Sequence, residues 1–260
     1  PDDLLYYDSY DLAPYLQVGE NVIGLQLGNG MQNCFGGYVW DFEKALWRSA
    51  PKMALCCTIT VGGETLSIES DESFVTHPSP IYFDDLRCGE YYDARNEIPG
   101  WNLPDCDLSG WTPAISAETP RGEAVISQAE SIVMTGEMKP VSIKKQQGGY
   151  LYDFGANCAG LTRLTVRGEA GQEISLEHGE YLKDGELQLK NIQFVPDGYV
   201  QKDIYICKGG ELETYLPSFT YHGFQYVLVK GITEEQATED LLTYVVMNSD
   251  LKQMGDFSCS

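Results

Sequence analysis

Positive charge is scarce in this 260-residue chain: 17 Lys and Arg stand against 39 Asp and Glu, for a formal net charge of −22. Such a surface repels a phosphate backbone, so nucleic acid is excluded as a partner. Long apolar runs are missing as well. No stretch approaches the ~18 consecutive apolar residues of a membrane-spanning helix, so no membrane partner is expected. There is no CxxC and no HExxH, which removes the usual sequence signs of zinc and thioredoxin-like sites. Asp153-Phe154-Gly155 copies a kinase tripeptide, but the Gly-rich loop, strand lysine and His-Arg-Asp loop of a kinase are absent. No internal repeat and no low-complexity segment is found.

Cysteine is present but thin. Eight in 260 residues is far below the density of small secreted disulfide scaffolds. Cys56 and Cys57 are adjacent in a strand pattern, so they point to opposite faces and do not pair. Reduced thiols and a cytoplasmic location are expected, with a periplasmic or secreted location as the alternative.

What is there reads as β-structure. Apolar residues make up 43% of the chain, enough for real cores, and 27 glycines, 12 prolines and 17 tyrosines suit short strands and many turns. In Leu161–Arg167, Thr162, Leu164 and Val166 share one face, and Ile174 and Leu176 form an inward pair with His178 in phase. Earlier, Met53, Leu55, Cys57, Ile59 and Val61 alternate with Thr58 and Thr60, and Gly62-Gly63 turns that strand into Leu66 and Ile68. Ile23, Leu25 and Leu27 predict a further strand ending in the turn Gly28-Asn29-Gly30, and Asp11–Leu16 a single helical turn. Strands are also predicted over 126–133 and 242–247. No helix-length apolar repeat separates the strands, so the fold class is all-β, two antiparallel β-sandwich domains of jelly-roll or concanavalin-like form. The polar stretch SAETPRG at 116–122 marks the boundary. The expected division is residues 1–118, 119–248, and a linker over 249–260.

Several runs carry a resemblance. YDFGANCAG, GEAGQEISLEHGEYLKDGEL, DIYICKGGELETYLPSFTYHGFQYV and LTYVVMNSDL resemble the concanavalin-like domain of bacterial α-L-rhamnosidases, glycoside hydrolase family 78. YDSYDLAPYLQVGENVIGLQLGNG, SPIYFDDLRCGEYYDARNEIPGW and SGWTPA resemble that family's N-terminal β-domain. Leu161 stands where the family often has Trp, Gln225 where it usually has Arg, and Met31 where an aromatic usually follows the Gly-Asn-Gly turn. The resemblance implies a helical catalytic barrel as the C-terminal partner in the same polypeptide, and a rhamnose-containing glycan as ligand. It also implies hydrolysis of terminal α-L-rhamnosyl groups by the whole enzyme, with no catalytic residue in this chain. By the same resemblance Val245, Val246, Leu251, Met254 and Phe257 are expected to lie exposed as an apolar patch beside the next domain.

Candidate chemistry divides into three groups. Glycosidases need two carboxylates, but 39 acidic residues allow no choice of pair by spacing; Glu90 and Asp93 are the most tempting, and Asp93 with Arg95 reads as a structural ion pair. Glu177, His178, Glu180 and His222 suggest metal ligands, against a hydrogen-bonded histidine at a strand end. For sugar, Asn29, Gln32, Asn33 and Trp40, with Trp47 nearby, supply planar polar groups and aromatic faces. No cofactor is required. Some N-terminal domains of the family hold rhamnose with the help of calcium, and the resemblance places Asn29 and the Pro80 carbonyl at that ion. The bland alternative is Asn29 as a turn residue with positive φ between two glycines. Beside the sugar-binding portion of a rhamnosidase stand a purely structural module and a stand-alone lectin-like protein.

Overall fold

The computed structural model describes residues 4–37, 39–190 and 195–259. It divides into two compact units that are not contiguous in sequence. One comprises residues 1–27, 50–79 and 96–128; the other comprises 28–49, 80–95 and 129–260. The excursions 28–49 and 80–95 therefore pack with the later half of the chain, across the expected division at residue 118.

The first unit holds three two-stranded sheets. Cys56–Val61 pairs antiparallel with Glu64–Glu69 around Gly62 and Gly63, both at positive φ, which is the backbone a two-residue hairpin turn requires. Met53, Leu55, Cys57 and Ile59 are partly covered while Thr58 and Thr60 are exposed, as the alternation predicts; Val61 is exposed. Leu4–Tyr7 pairs with Glu123–Ile126, and Val75–Thr76 with Thr112–Pro113. Ala13–Tyr15 forms the expected helical turn, with Asp11 Oδ1 accepting the Ala13 N–H. The segment around Ile23, Leu25 and Leu27 is not a strand, and all three side chains are exposed. It finds no ladder partner among the described residues, and alternation without a partner does not make a strand. No described residue of this unit is buried.

The second unit is built on one curled ten-stranded sheet. Its order is Ile81–Asp85, Gly89–Asp93, Lys202–Ile206, Glu173–Gly179, His222–Lys230, Gly149–Val166, Leu242–Ser249, Ile132–Met138. Ser142–Gln146 and Glu213–Tyr215 pair with the central strand, Gly149–Val166. That 18-residue strand runs beside His222–Lys230, breaks register between Asp153 and Cys158, and then pairs with Leu242–Ser249. A strand that changes partners along its length is how one sheet folds over into two layers. Between them lie Tyr152, Leu164, Ile174, Leu176, Phe224, Val227 and Tyr244, each essentially inaccessible. The rings of Phe224 and Tyr244 stack at 4.0 Å. Thr162, Leu164 and Val166 do share a buried face, and His178 is buried in phase with Ile174 and Leu176.

Four expectations change. Two strand pairs are parallel, Gly89–Asp93 with Lys202–Ile206 and Leu4–Tyr7 with Glu123–Ile126; parallel neighbours cannot be joined by a hairpin, so they unite segments far apart in sequence. The strand predicted over 126–133 is two strands, Glu123–Ile126 and Ile132–Met138. The strand predicted over 242–247 extends to Ser249. Val245 is inaccessible and Val246 is partly covered and packed against the core, whereas Leu251, Met254 and Phe257 are exposed. Among the family departures, Leu161 is buried and Gln225 donates to Asp153 Oδ1 at 3.0 Å and to the Tyr226 hydroxyl at 3.0 Å. No helix among the described residues is long and apolar enough to cross a membrane.

Candidate functional site

The excursion 28–49 is tied to the hairpin 81–93 by two adjacent carboxylates. Asp85 Oδ2 accepts the Phe35 N–H at 2.7 Å, and its Oδ1 accepts those of Arg87 and Cys88 at 2.9 Å each. Asp84 Oδ1 accepts the Asn29 N–H at 2.6 Å, and Asp84 Oδ2 and the Asp84 carbonyl accept its amide NH2 at 3.1 and 2.9 Å. Two glycines make these approaches feasible. A Cβ at Gly28 would collide with the Phe219 ring, and one at Gly89, which has φ +117°, with the Lys202 carbonyl.

Between excursion and hairpin lies a cavity of about 240 Å³, lined by Asn29, Asn33, Phe35, Arg48 and residues 81–85. That is below the roughly 300–1,000 Å³ of drug-sized ligand sites and suits one small polar molecule. Phe35 and Phe83 have ring centroids 6.5 Å apart, and Tyr199 packs 5.0 Å from Phe35. Arg48 Nη2 donates to the Asn33 carbonyl at 2.7 Å, and its guanidinium lies 5.8 Å from the centre of the Phe35 ring. Arg48 Nε is buried and has no hydrogen-bond partner among the described residues. Burial holds the Asp84 carboxyl above the ordinary carboxylate range; the Asn29 N–H opposes this and the Asp85 charge adds to it. A larger cavity of about 410 Å³, lined by Arg167, Gly168, Glu169, Gln172, Thr233 and Gln236, has no aromatic ring in its wall.

The predicted sugar residues separate here. Asn29 and Asn33 line the cavity; Gln32 and Trp40 do not. Asn33 Nδ2 donates to Asn29 Oδ1 at 2.8 Å, and Gln32 Nε2 to the Trp47 carbonyl at 2.7 Å. Trp40 stacks on Phe42 at 5.3 Å, with the Arg87 guanidinium 4.8 Å from its ring. Asn29 has φ −65° and precedes the helical turn Gly30–Asn33 without a side-chain capping bond; the positive φ expected at Asn29 falls on Gly30 instead.

The residues implied for calcium do not form a cradle in this arrangement. Asn29 Oδ1 accepts from Asn33, and Asn29 turns its NH2 rather than its oxygen to Asp84. The Pro80 carbonyl accepts the Asp93 N–H at 2.9 Å and is not in the cavity wall. Calcium needs about 6–8 oxygens converging on one point, and this geometry does not present them.

Glu90, which the sequence already marks out, and Asp203, which it does not, are deeply buried carboxylates. Glu90 is 1% exposed and accepts from Tyr215 Oη at 3.1 Å, Ser218 N–H at 2.9 Å and Phe219 N–H at 3.0 Å. Burial raises its carboxyl to about 7 against those backbone donors. A raised carboxyl resembles a general acid, but neither Glu90 nor Asp203 lines either cavity. Asp93 is held by Arg95, whose Nε and Nη2 reach it at 2.9 and 2.7 Å, a structural pair as expected. Glu177 is taken by Lys230 at 2.8 Å. His178 and His222 do meet, stacked at 4.3 Å beside Asp203. Asp203 was the missing member, and no spacing rule links it to either histidine.

Comparison with known proteins divides the chain in sequence order, unlike the interleaved structural units. Residues 2–136 match the family described as alpha-L-rhamnosidase N-terminal domain, and residues 143–247 the bacterial alpha-L-rhamnosidase concanavalin-like domain. An alpha-L-rhamnosidase of Formosa agariphila is 30% identical over 265 residues, covering 100% of this chain and 28% of that protein. One of Streptomyces avermitilis is 29% identical over 247 residues, 94% of this chain and 23% of its own. Among solved structures, the Streptomyces avermitilis alpha-L-rhamnosidase complexed with L-rhamnose superposes with TM-score 0.83 at 26% identity, covering 96% of this chain and 24% of that one. The alpha-L-rhamnosidase from Dictyoglumus thermophilum gives TM-score 0.74 at 36% identity, over 82% and 24%. The chain thus spans about a quarter of the length of the relatives it matches.

Proposed function

Since the chain belongs to the bacterial α-L-rhamnosidase family, through its N-terminal and concanavalin-like domains, we propose that it is the non-catalytic β-portion of a protein that hydrolyses terminal α-L-rhamnosyl groups, and that it holds a rhamnosyl unit itself. Its partners in this reading are a rhamnose-containing glycan and a helical catalytic domain of the same polypeptide. The reaction needs one carboxylic acid to protonate the leaving oxygen and a carboxylate to activate water, both at an open cleft. Glu90 and Asp203 are buried and line neither cavity, and in this reading the chemistry belongs to the catalytic domain.

One observation carries the sugar-holding role: a single cavity brings a buried, unpartnered donor, Arg48 Nε, together with Asp84 and the rings of Phe35 and Phe83. A sugar offers a hydroxyl to accept from the guanidinium, another to donate to the carboxylate, and a C–H face for a ring. Each hydrogen bond replaces one to water, so the net gain is small. A dissociation constant of about 1 mM, or about −4 kcal/mol, is expected. Calorimetric titration of L-rhamnose tests this. Arg48→Gln and Asp84→Asn should each weaken binding several-fold, and chelator should leave it unchanged. Loss of binding with chelator would assign the role to calcium and overturn this geometry. Absence of heat at tens of millimolar sugar would leave a structural module.

A further inference from the structure

His178, Asp203 and His222 come from three adjacent strands of the curled sheet, Glu173–Gly179, Lys202–Ile206 and His222–Lys230. All three side chains have zero exposure. His222 Nε2 stands 3.1 and 3.2 Å from the two Asp203 oxygens, and His178 Nε2 stands 3.8 Å from Asp203 Oδ2. One ligand atom from each residue lies within 4.8 Å of the other two. Thr162 Oγ1 lies at hydrogen-bond distance, 2.7 Å, from His178 Nε2.

We propose that these residues form a buried structural site for a zinc-class divalent cation, with His178 Nε2, Asp203 and His222 Nε2 as ligands and Thr162 Oγ1 at the fourth position. Two imidazoles and a carboxylate are the donor set such ions take. Bonds of about 2.0–2.1 Å in a tetrahedron set ligand atoms about 3.3 Å apart; the His–Asp separations of 3.1, 3.2 and 3.8 Å bracket that spacing, and Thr162 Oγ1, now 2.7 Å from His178 Nε2, must move outward to take the fourth position. Both rings turn their Nε2 atoms toward the Asp203 carboxylate, which places two imidazole nitrogens and a carboxylate side by side in the core. With no exposure at the site, the ion enters while the chain folds.

The test is to unfold the chain in chelator, refold it in equimolar zinc or in chelator alone, dialyse both against chelator, and measure metal by mass spectrometry. One zinc per folded chain is expected after zinc refolding, and cobalt refolding should give the visible d–d bands of a tetrahedral site. His178→Gln should fold and hold none. Zinc-refolded chain with native circular dichroism and well under one metal per chain overturns the proposal, as does His178→Gln with an undiminished ratio. If that variant does not fold, the native chain alone decides. Its unfolding midpoint should be several degrees higher with zinc than with chelator, and equal midpoints overturn the site.

Discussion

Replacing Glu90 by Gln should change how stability depends on pH more than it changes stability itself. Gln fits the same space: its carbonyl can accept from Ser218 and Phe219, and its NH2 can donate to the Tyr215 hydroxyl, which held the other oxygen. The difference is the proton. In the native fold, burial raises Glu90 from 4.5 to about 7, so the folded state binds a proton more tightly than the unfolded chain. Its contribution is complete below the unfolded value of about 4.5 and is lost as pH rises through about 7, at which point the charge is buried. At about 1.4 kcal/mol per pH unit, the rise is worth on the order of 3 kcal/mol. Gln has no such proton. Relative to native, the variant should therefore gain on the order of 3 kcal/mol between pH about 4 and about 8. His178 works in the opposite sense, since its lowered pKa gives stability that is present above 6.5 and lost on acidification, but it is common to both chains and cancels in the difference. Hydrogen exchange of the Leu228 and Val229 amides, at the centre of the sheet, reads the second unit alone. The measurement is made on protein refolded in chelator, at a series of pH values. Parallel pH curves for native and variant would refute a buried, protonated Glu90.

Three further outcomes follow from the same structure. Leu164→Ala, at an inaccessible site between the layers, should cost about 2–5 kcal/mol in urea unfolding of the second unit; a loss below 1 kcal/mol would mean the layers are not packed there. Limited proteolysis should cut within residues 50–79 or 96–128 before it cuts the ten-stranded sheet, because no described residue of the first unit is buried. Early cleavage within 222–230 would contradict that order. The chain should release no nitrophenol from aryl α-L-rhamnosides, and turnover abolished by Asp84→Asn or Glu90→Gln would place catalysis here after all.

The alternation of short strands was legible because one face of each is buried, so Leu164, Ile174, Leu176 and His178 appear at period two along the chain. Ile23, Leu25 and Leu27 show the limit of that reading. They alternate equally well, yet a strand exists only where another strand offers a ladder, and among the described residues none does so here. The parallel pairing of Gly89–Asp93 with Lys202–Ile206 was hidden because the two strands lie far apart in sequence. In the cavity, Asn29 and Asn33 were visible as polar groups in a turn. Arg48, Asp84, Phe35 and Phe83 were not singled out, although Asp84 and Phe83 sit in a motif that carried the family resemblance. What joins them is the stitching of residues 28–49 to the hairpin by Asp84 and Asp85, a contact across more than 50 positions of sequence. Trp40, an aromatic near that turn, lies outside the cavity wall and stacks on Phe42 beside Arg87.

The sugar-holding role is tested most directly by amide chemical shifts during titration of L-rhamnose into the chain, in chelator. The account predicts saturable shifts at about 1 mM sugar, confined to the residues around Asn33, Phe35, Arg48 and Asp84, and absent in Arg48→Gln. Shifts centred instead on Trp40 and Gln32, or no shifts at tens of millimolar sugar, would contradict it.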